Sequence, residues 1–457
     1  MSGNINLQLG WPSTSLFPAA QLLQGASDVL NSQKKTVSSL VYGPDAGYEP
    51  LRRSIATWLS SIYGRGSKLS SDRVCITNGA SGNLDNVLAR FTEPGYTRAI
   101  WMVEPCYFLA CPIFMDNGFQ DMMKGVPEDE EGLDIEFLRN GLEQSSKDGP
   151  TDGPTRKTGQ RYTKLYRHII YCVPTFSNPS AKTMSLRRRQ ELVRLARDYD
   201  ALVVTDDVYD VLRWPADPAG TFEQLGDVPP RIVDVDRTLD GGPKDEWGNA
   251  MSNGSFAKII APGVRVGWAE ATPSFTLGLS QVGATRSGGC PAHMTASFVH
   301  EVLESGSLEK HLRMQVLPTY RDRYYALLES INDYLVPLGM QVSTGKPYNE
   351  TTVKVDGTSN GRKAAASQAG GYFIWLLLPS NLAGKGAALA ANGLDKYNLK
   401  FAFGDMMQVQ GDPSSADRAA KNFGNGIRLS WAWHTKEEIV EGIKRLATLV
   451  KEMQGEV

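Results

Sequence analysis

Residues 185–207 read SLRRRQELVRLARDYDALVVTDD, and their reading decides the fold. Within 185–200, Leu192, Leu195, Ala196 and Tyr199 recur at helical spacing, which predicts a helix with one apolar face. Residues 201–207, ALVVTDD, form a short apolar run ending in two acids, the pattern of a strand buried on both faces. Upstream, RHIIYCVP (167–174) has the same character. So do RVCITNG (73–79), followed by the helical SGNLDNVLARF (81–91), and RAIWMVEPCY (98–107). Apolar strands alternating with helices predict an α/β fold whose large domain holds a mostly parallel sheet covered by helices. Such a sheet takes its ligands beyond the carboxyl ends of its strands, so the polar residues just after each strand are the ones to follow.

The last third has a different pattern. YRDRYYALLESINDYL (320–335) is helical, GGYFIWLLL (370–378) and GIRLSWAW (426–433) are strands, and TKEEIVEGIKRLATLV (435–450) is a helix with an apolar stripe of Ile439, Ile443, Leu446 and Val450. That order predicts a smaller α+β domain. Three stretches lack periodicity. Residues 145–164 read as a long mobile loop, 214–253 as a Pro-, Gly- and Asp-rich segment on the surface, and 344–371 as a strand mixed with loop.

Composition narrows the functional classes. The chain has 457 residues, 41% hydrophobic and 21% charged, enough for more than one domain and incompatible with global disorder. Lys plus Arg is 48 and Asp plus Glu is 50, a net charge of −2 that gives no general attraction to nucleic acid or anionic membrane. Five cysteines (75, 106, 111, 172 and 290) form no CxxC pair and no zinc-type spacing, so neither a disulfide framework nor a metal site is expected. No segment reaches the ~20 apolar residues of a membrane span, and MSGNINLQLGWPSTSLFP lacks the features of a secretory signal. The expected address is cytoplasmic.

NGSFAKIIAPGVRVGW (253–268) is the most informative segment for chemistry, with Lys258 and Arg265 as its only full charges. An amine among apolar neighbours loses solvation, its pKa falls, and it becomes available to form a Schiff base. Ser255 and Arg265 suit a phosphate, one by hydrogen bond and one by charge. The competing reading is a snorkelling lysine and a surface arginine on a strand–turn pair. Gly79, Ala80 and Ser81 stand at a strand-to-helix junction, where backbone N–H groups can meet a phosphate. Arg428 lies on the strand face opposite Ile427, Leu429 and Trp431, and its fork suits a carboxylate. Adjacent Asp206 and Asp207 read equally as caps of a following helix, Asn178-Pro179 as a turn, and Tyr107 as core.

The series S-F-A-K-I-I-A-P-G-V-R-V-G-W (255–268) resembles the motif S-F-S-K-x-x-x-P-G-x-R-x-G-W of the fold-type I, pyridoxal phosphate (PLP)-dependent class I/II aminotransferases, departing at Ala257. It looks closest to the 2-aminoadipate and kynurenine aminotransferase branch, and the resemblance runs from Asn4 to about Val450. It implies an N-terminal arm (1–40), a large PLP-binding domain (41–305) and a small C-terminal domain (306–457). It further implies that Lys258 is the Schiff-base lysine and proton shuttle, with Arg265 and Ser255 on the PLP phosphate together with Gly79, Ala80 and Ser81. Asp206, in the family's D-x-x-Y pair with Tyr209, would face the pyridine nitrogen, and Tyr209 and Asn178 the ring oxygen. Asn178 sits in a P-x-x-x-N-P motif where Ser180 and Ala181 replace the usual Thr and Gly. Tyr107 would stack on the ring, and Asp207 is left as a helix cap.

Tyr42 and Gly47 match Y-x-x-x-x-G-x-x-x-L-R, whose tyrosine reaches a neighbouring subunit's cofactor in relatives, so a homodimer is implied. Arg428 would clamp the substrate α-carboxylate, with Asn178 and Gly10 also at the substrate and with Trp11 and Phe17 shaping the side-chain pocket. Phe403 and Met407 replace the Pro and Phe of a segment that borders substrate in relatives, and Arg286 has no assigned role.

The function implied is transfer of the amino group of an L-amino acid, aromatic or 2-aminoadipate-like, to a 2-oxo acid such as 2-oxoglutarate. The alternative is a PLP-dependent lyase or a β/γ-replacement or cyclising enzyme of the ACC-synthase kind, because the scaffold serves both. A PLP-dependent transcription regulator is a third reading, opposed by the net charge of −2 and by a resemblance that begins at Asn4.

Overall fold

The computed structural model describes residues 3–63, 68–147, 156–343 and 367–455. In chain order its strands are β1 (Ile5–Asn6), β2 (Val74–Thr77), β3 (Ala99–Glu104), β4 (Met123–Asp129), β5 (Gly132–Leu133), β6 (His168–Cys172), β7 (Ala201–Asp206), β8 (Arg213–Pro215), β9 (Ala250–Ser255) and β10 (Gly267–Glu270). They continue as β11 (Gln341–Val342), β12 (Gln368–Gly370), β13 (Phe373–Leu377), β14 (Leu399–Lys400), β15 (Ala402–Phe403) and β16 (Gly426–Ser430).

The large sheet has the order β2-β10-β9-β7-β6-β3-β4-β5. Its middle, β9-β7-β6-β3-β4, is parallel throughout, and β10 runs antiparallel between β2 and β9. The helix preceding β7 shows how the sequence builds this unit. Ser185 caps Leu186–Asp198 by accepting from the Arg188 N–H at 3.2 Å. Leu192, Leu195 and Ala196 are buried against the sheet, whereas Tyr199 lies past the helix end and is partly exposed. Asp200 then turns the chain with φ 49°, a conformation Asp tolerates, and β7 starts at once.

The smaller sheet, β11-β13-β16-β15, is antiparallel. The final helix, Lys436–Gln454, starts in a Thr435/Glu438 capping box and buries Ile439, Ile443, Leu446 and Val450, as the stripe predicted. The N-terminal segment joins this part through β1, which pairs in parallel with β14. An ion pair ties the large sheet to the helix Ser415–Lys421: Glu104, at the end of β3, accepts from Arg418 Nε at 2.6 Å. Beside it the Cys106 N–H donates to the Met407 carbonyl at 2.8 Å, which fixes the backbone just before Tyr107.

Two sequence expectations are corrected. Residues 214–253 are a surface segment only in part: 217–227 and 237–247 are largely exposed, but Trp214 is fully buried, Ile232, Val233 and Val235 enter the core, and β9 is a central strand. Some of its polar residues form internal ion pairs, Arg231 with Asp234 at 2.9 Å and with Glu270 at 2.8 Å, while Asp217, Asp227, Asp240 and Asp245 are exposed. In the proposed mobile loop, residues 145–147 end the helix Ile135–Lys147, and residues 148–155 lie outside the described residues. From Arg156 onward the chain is tied down. The Lys157 N–H donates to Glu93 at 2.7 Å, and Lys164 bridges Asp200 and Asp245 at 2.8 and 3.3 Å. Of the mixed stretch 344–371, residues 344–366 lie outside the described residues and β12 supplies the strand.

Candidate active site

A cavity of about 660 Å³ lies where the carboxyl ends of β7, β6 and β3 meet the smaller sheet and the N-terminal segment. Gly10, Ala80, Ser81, Tyr107, Asn178, Asp206, Tyr209, Ser255, Lys258, Arg265 and Arg428, all selected from sequence, line it together. They come from positions 10 to 428, so the fold, not sequence proximity, creates the site.

Asp206 closes β7. Its Oδ2 accepts from the Tyr171 hydroxyl at 3.0 Å, while Oδ1 is shut off from solvent with no hydrogen-bond partner. Loss of solvation raises its carboxyl to about 6, against the Tyr171 bond, which lowers it. An acceptor oxygen hidden and unpaired in this way suits a cationic N–H donor. Lys258 follows β9 in a short 3-10 turn. Desolvation brings its amine down to about 8, opposed by Asp206, and Nζ donates to the Gly10 carbonyl at 2.7 Å. The snorkelling reading of Lys258 is thereby replaced.

The anion end is built on backbone. The helix Gly79–Phe91 starts directly after β2, and its N-cap Asn78 makes no side-chain cap bond, so that side chain takes up none of the first N–H donors. Asn253 on β9 grips that turn: its side chain donates to the Ala80 carbonyl at 3.0 Å and accepts from Asn83 at 2.8 Å. Gly79 does not line the cavity but is required behind it. It has φ +81°, and a Cβ there would lie 2.8 Å from Arg265 Nη2. Arg265 itself takes φ 52° and donates to the carbonyls of Pro262 and Asn78 at 3.0 and 2.9 Å. Ser255 is buried, and its Oγ accepts from the Ala257 N–H at 3.1 Å.

Arg428 is buried on β16. Its guanidinium donates to Asn178 Oδ1 at 2.6 Å and to the Gln8 carbonyl at 2.7 Å, and lies 4.1 Å from the Phe373 ring centre. Its Nε is a buried donor without a partner, and burial lowers the group to about 10. Tyr209 is buried with its hydroxyl held far above its ordinary range by desolvation and by Asp206. Burial raises Tyr107 to about 12, with Asp206 adding to the effect.

Several sequence-selected residues lie elsewhere. Tyr42 is 86% exposed and outside the cavity. Gly47, with φ +98°, makes room for the Ile76 side chain and is structural. Phe17, Arg286, Phe403 and Met407 do not line the cavity; Met407 is buried in a separate apolar cluster. Asp207 caps no helix, because a turn follows β7. Instead it is buried and accepts from Thr205 and Ser252 hydroxyls, each at 2.6 Å. The sequence reading missed Tyr171, Leu9, Phe108, Leu109, Phe373 and Lys400. Tyr171, the one hydroxyl in the buried β6 (HIIYC), carried a signal; Lys400 carried none.

A family model described as aminotransferase class I and II matches residues 5–346. An uncharacterized protein of Saccharomyces cerevisiae is 32% identical over 98% of this chain and 97% of its own length. Aromatic-amino-acid aminotransferase 1 of Thermococcus litoralis is 28% identical, over 98% of this chain and 88% of its own. Among solved structures, Pyrococcus horikoshii kynurenine aminotransferase, in complex with PMP, has a TM-score of 0.74 and 25% identity, covering 99% of this chain and 92% of that one. None of these relatives supports the lyase or replacement reading. No helix among the described residues is long and apolar enough to cross a membrane.

Proposed function

The chain belongs to the class I and II aminotransferases, it is a PLP-dependent aminotransferase, and from that premise we propose that it moves the amino group of an aromatic L-amino acid to a 2-oxo acid such as 2-oxoglutarate. The observation that carries this is the meeting in one cavity of the lowered Lys258 amine, the unpaired Asp206 oxygen and the buried Arg428 fork. The residues fit PLP. Ala80, Ser81, Ser255 and Arg265 would hold its phosphate, Asp206 its pyridine nitrogen, Asn178 and Tyr209 its ring oxygen, and Tyr107 its ring face. When bound, PLP supplies the electron sink and the carrier of the amino group.

The remaining work belongs to the protein. Lys258 leaves the Gly10 carbonyl, and its Nζ takes the proton of the substrate α-carbon and later returns it. Asp206, with Tyr171 holding its Oδ2, would offer its unpartnered Oδ1 to the pyridine nitrogen and stabilise positive charge there. Arg428 binds the α-carboxylate through its planar fork. Leu9, Trp11, Phe108, Leu109 and Phe373 supply an apolar wall for an aromatic side chain. The name of the Thermococcus litoralis relative supports the same donor class.

Exposed Tyr42 serves a second copy of the chain in a homodimer, and the five cysteines, free and buried, accord with a cytoplasmic address. Incubation with L-phenylalanine and 2-oxoglutarate tests the reaction. Equimolar phenylpyruvate and L-glutamate are expected; ammonia without glutamate would overturn transamination in favour of a lyase.

A further inference from the structure

The cavity wall carries one cation that the reaction above leaves unused. Its charged lining residues, among those described, are Asp206, Lys258, Arg265, Lys400 and Arg428. Lys258, Arg265 and Arg428 each hold a protein carbonyl or amide and have a role in the chemistry. Lys400 has neither an ion pair nor a side-chain hydrogen bond among the described residues, and it is exposed. Its backbone is fixed by the pairing of β14 with β1, where the Leu7 N–H donates to the Lys400 carbonyl at 2.8 Å. Leu399, its neighbour in the strand, is fully buried against the smaller domain's helices. Alternation along the strand turns Lys400 to the opposite side, the side of the cavity.

An aminotransferase needs one cavity for two substrates in turn. An aromatic donor fills an apolar wall, but a five-carbon 2-oxo acid brings a second carboxylate that this wall cannot solvate. With its α-carboxylate on Arg428, that second charge must find a cation, and the wall offers one that is unpaired. A lysine suits alternating substrates. Its ammonium sits on a flexible four-carbon stem that can meet the carboxylate and swing back to water when an aromatic ring takes its place.

We propose that Lys400 is the specificity residue for the distal carboxylate of the dicarboxylic partner, a glutamate/2-oxoglutarate-type substrate. This rests on the transamination reading above, and its test separates the two. Binding of glutarate, a dicarboxylate that cannot react, and of 3-phenylpropionate, its aromatic monocarboxylate counterpart, is measured by calorimetry on the PLP-loaded wild type, Lys400→Met and Lys400→Arg. The ratio of the two dissociation constants is read. In Lys400→Met the ratio shifts against glutarate by about tenfold or more, the size of one lost charge-assisted hydrogen bond, and Lys400→Arg restores it. The KM for 2-oxoglutarate rises in parallel, with a smaller change in kcat. A ratio unchanged in Lys400→Met, or a wild type that binds glutarate no better than 3-phenylpropionate, overturns the proposal. Absence of turnover with every amino acid would instead defeat the reaction reading, leaving the binding ratio still readable.

Discussion

At the scale of residues, the chemistry follows from desolvation. Lys258 and Asp206 stand in one cavity, and burial pushes each toward its neutral form, the amine down to about 8 and the carboxyl up to about 6. The lysine is protonated below its value and free above it. Capture of PLP by cofactor-free protein should therefore rise by about tenfold per pH unit toward about 8 and flatten beyond it. A profile that is flat from about pH 6 to about pH 9 would show that another group controls the step. Asp206→Asn removes the anion and keeps the shape, so turnover should fall roughly 10²–10³-fold with PLP still bound. Retention of near-normal turnover would remove Asp206 from the mechanism. Most of these residues were legible because each sits just past a strand end in a spaced motif. Lys400 was not, and Tyr171 showed only as a hydroxyl in a buried strand, because a side chain's partner across a sheet or cavity is written only in the fold.

Elements set the distances. The helix start at Gly79 faces the cavity because β2, Asn253 on β9 and Arg265 all converge on one turn. Gly79→Ala places a side chain at φ +81°, a strain of about 1–2 kcal/mol, and forces Arg265 aside. A weaker hold on inorganic phosphate and on PLP, with a lower melting temperature, is the expected outcome; titration of both ligands into the variant checks it. Sequence reading found β6, β7 and the helix between them within two residues of their ends, since apolar runs and caps are local signals. It misjudged the buried part of 214–253, residues 231–236 and β9, because buried arginine–carboxylate pairs look like surface in composition. It took Asp207 for a cap because the turn after β7, which contains no helix, has no local marker.

The whole molecule adds a surface that one chain does not cover. Leu23 is 69% exposed, Val37 57%, Leu40 59% and Tyr42 86%, a run of apolar side chains along 23–42. In the proposed homodimer these residues are covered, and Tyr42 completes the second copy's site. Val37→Glu with Leu40→Glu should therefore sediment as a monomer and lose most turnover; a wild type that sediments as a monomer at micromolar concentration would refute the shared site. The two-sheet architecture was legible from the change of pattern in the last third, but the cavity between the sheets was not, because it exists only once β1 and β14 bring residues 6–12 to the large sheet. The central claim is that Lys258 holds PLP and that the bound cofactor carries the amino group. The visible absorption spectrum of the purified protein, followed through addition of L-phenylalanine and then of 2-oxoglutarate, tests it most directly. The account predicts a band that bleaches with the amino acid and returns with the oxo acid; no band even after PLP is added, or the same band in Lys258→Ala, would contradict it.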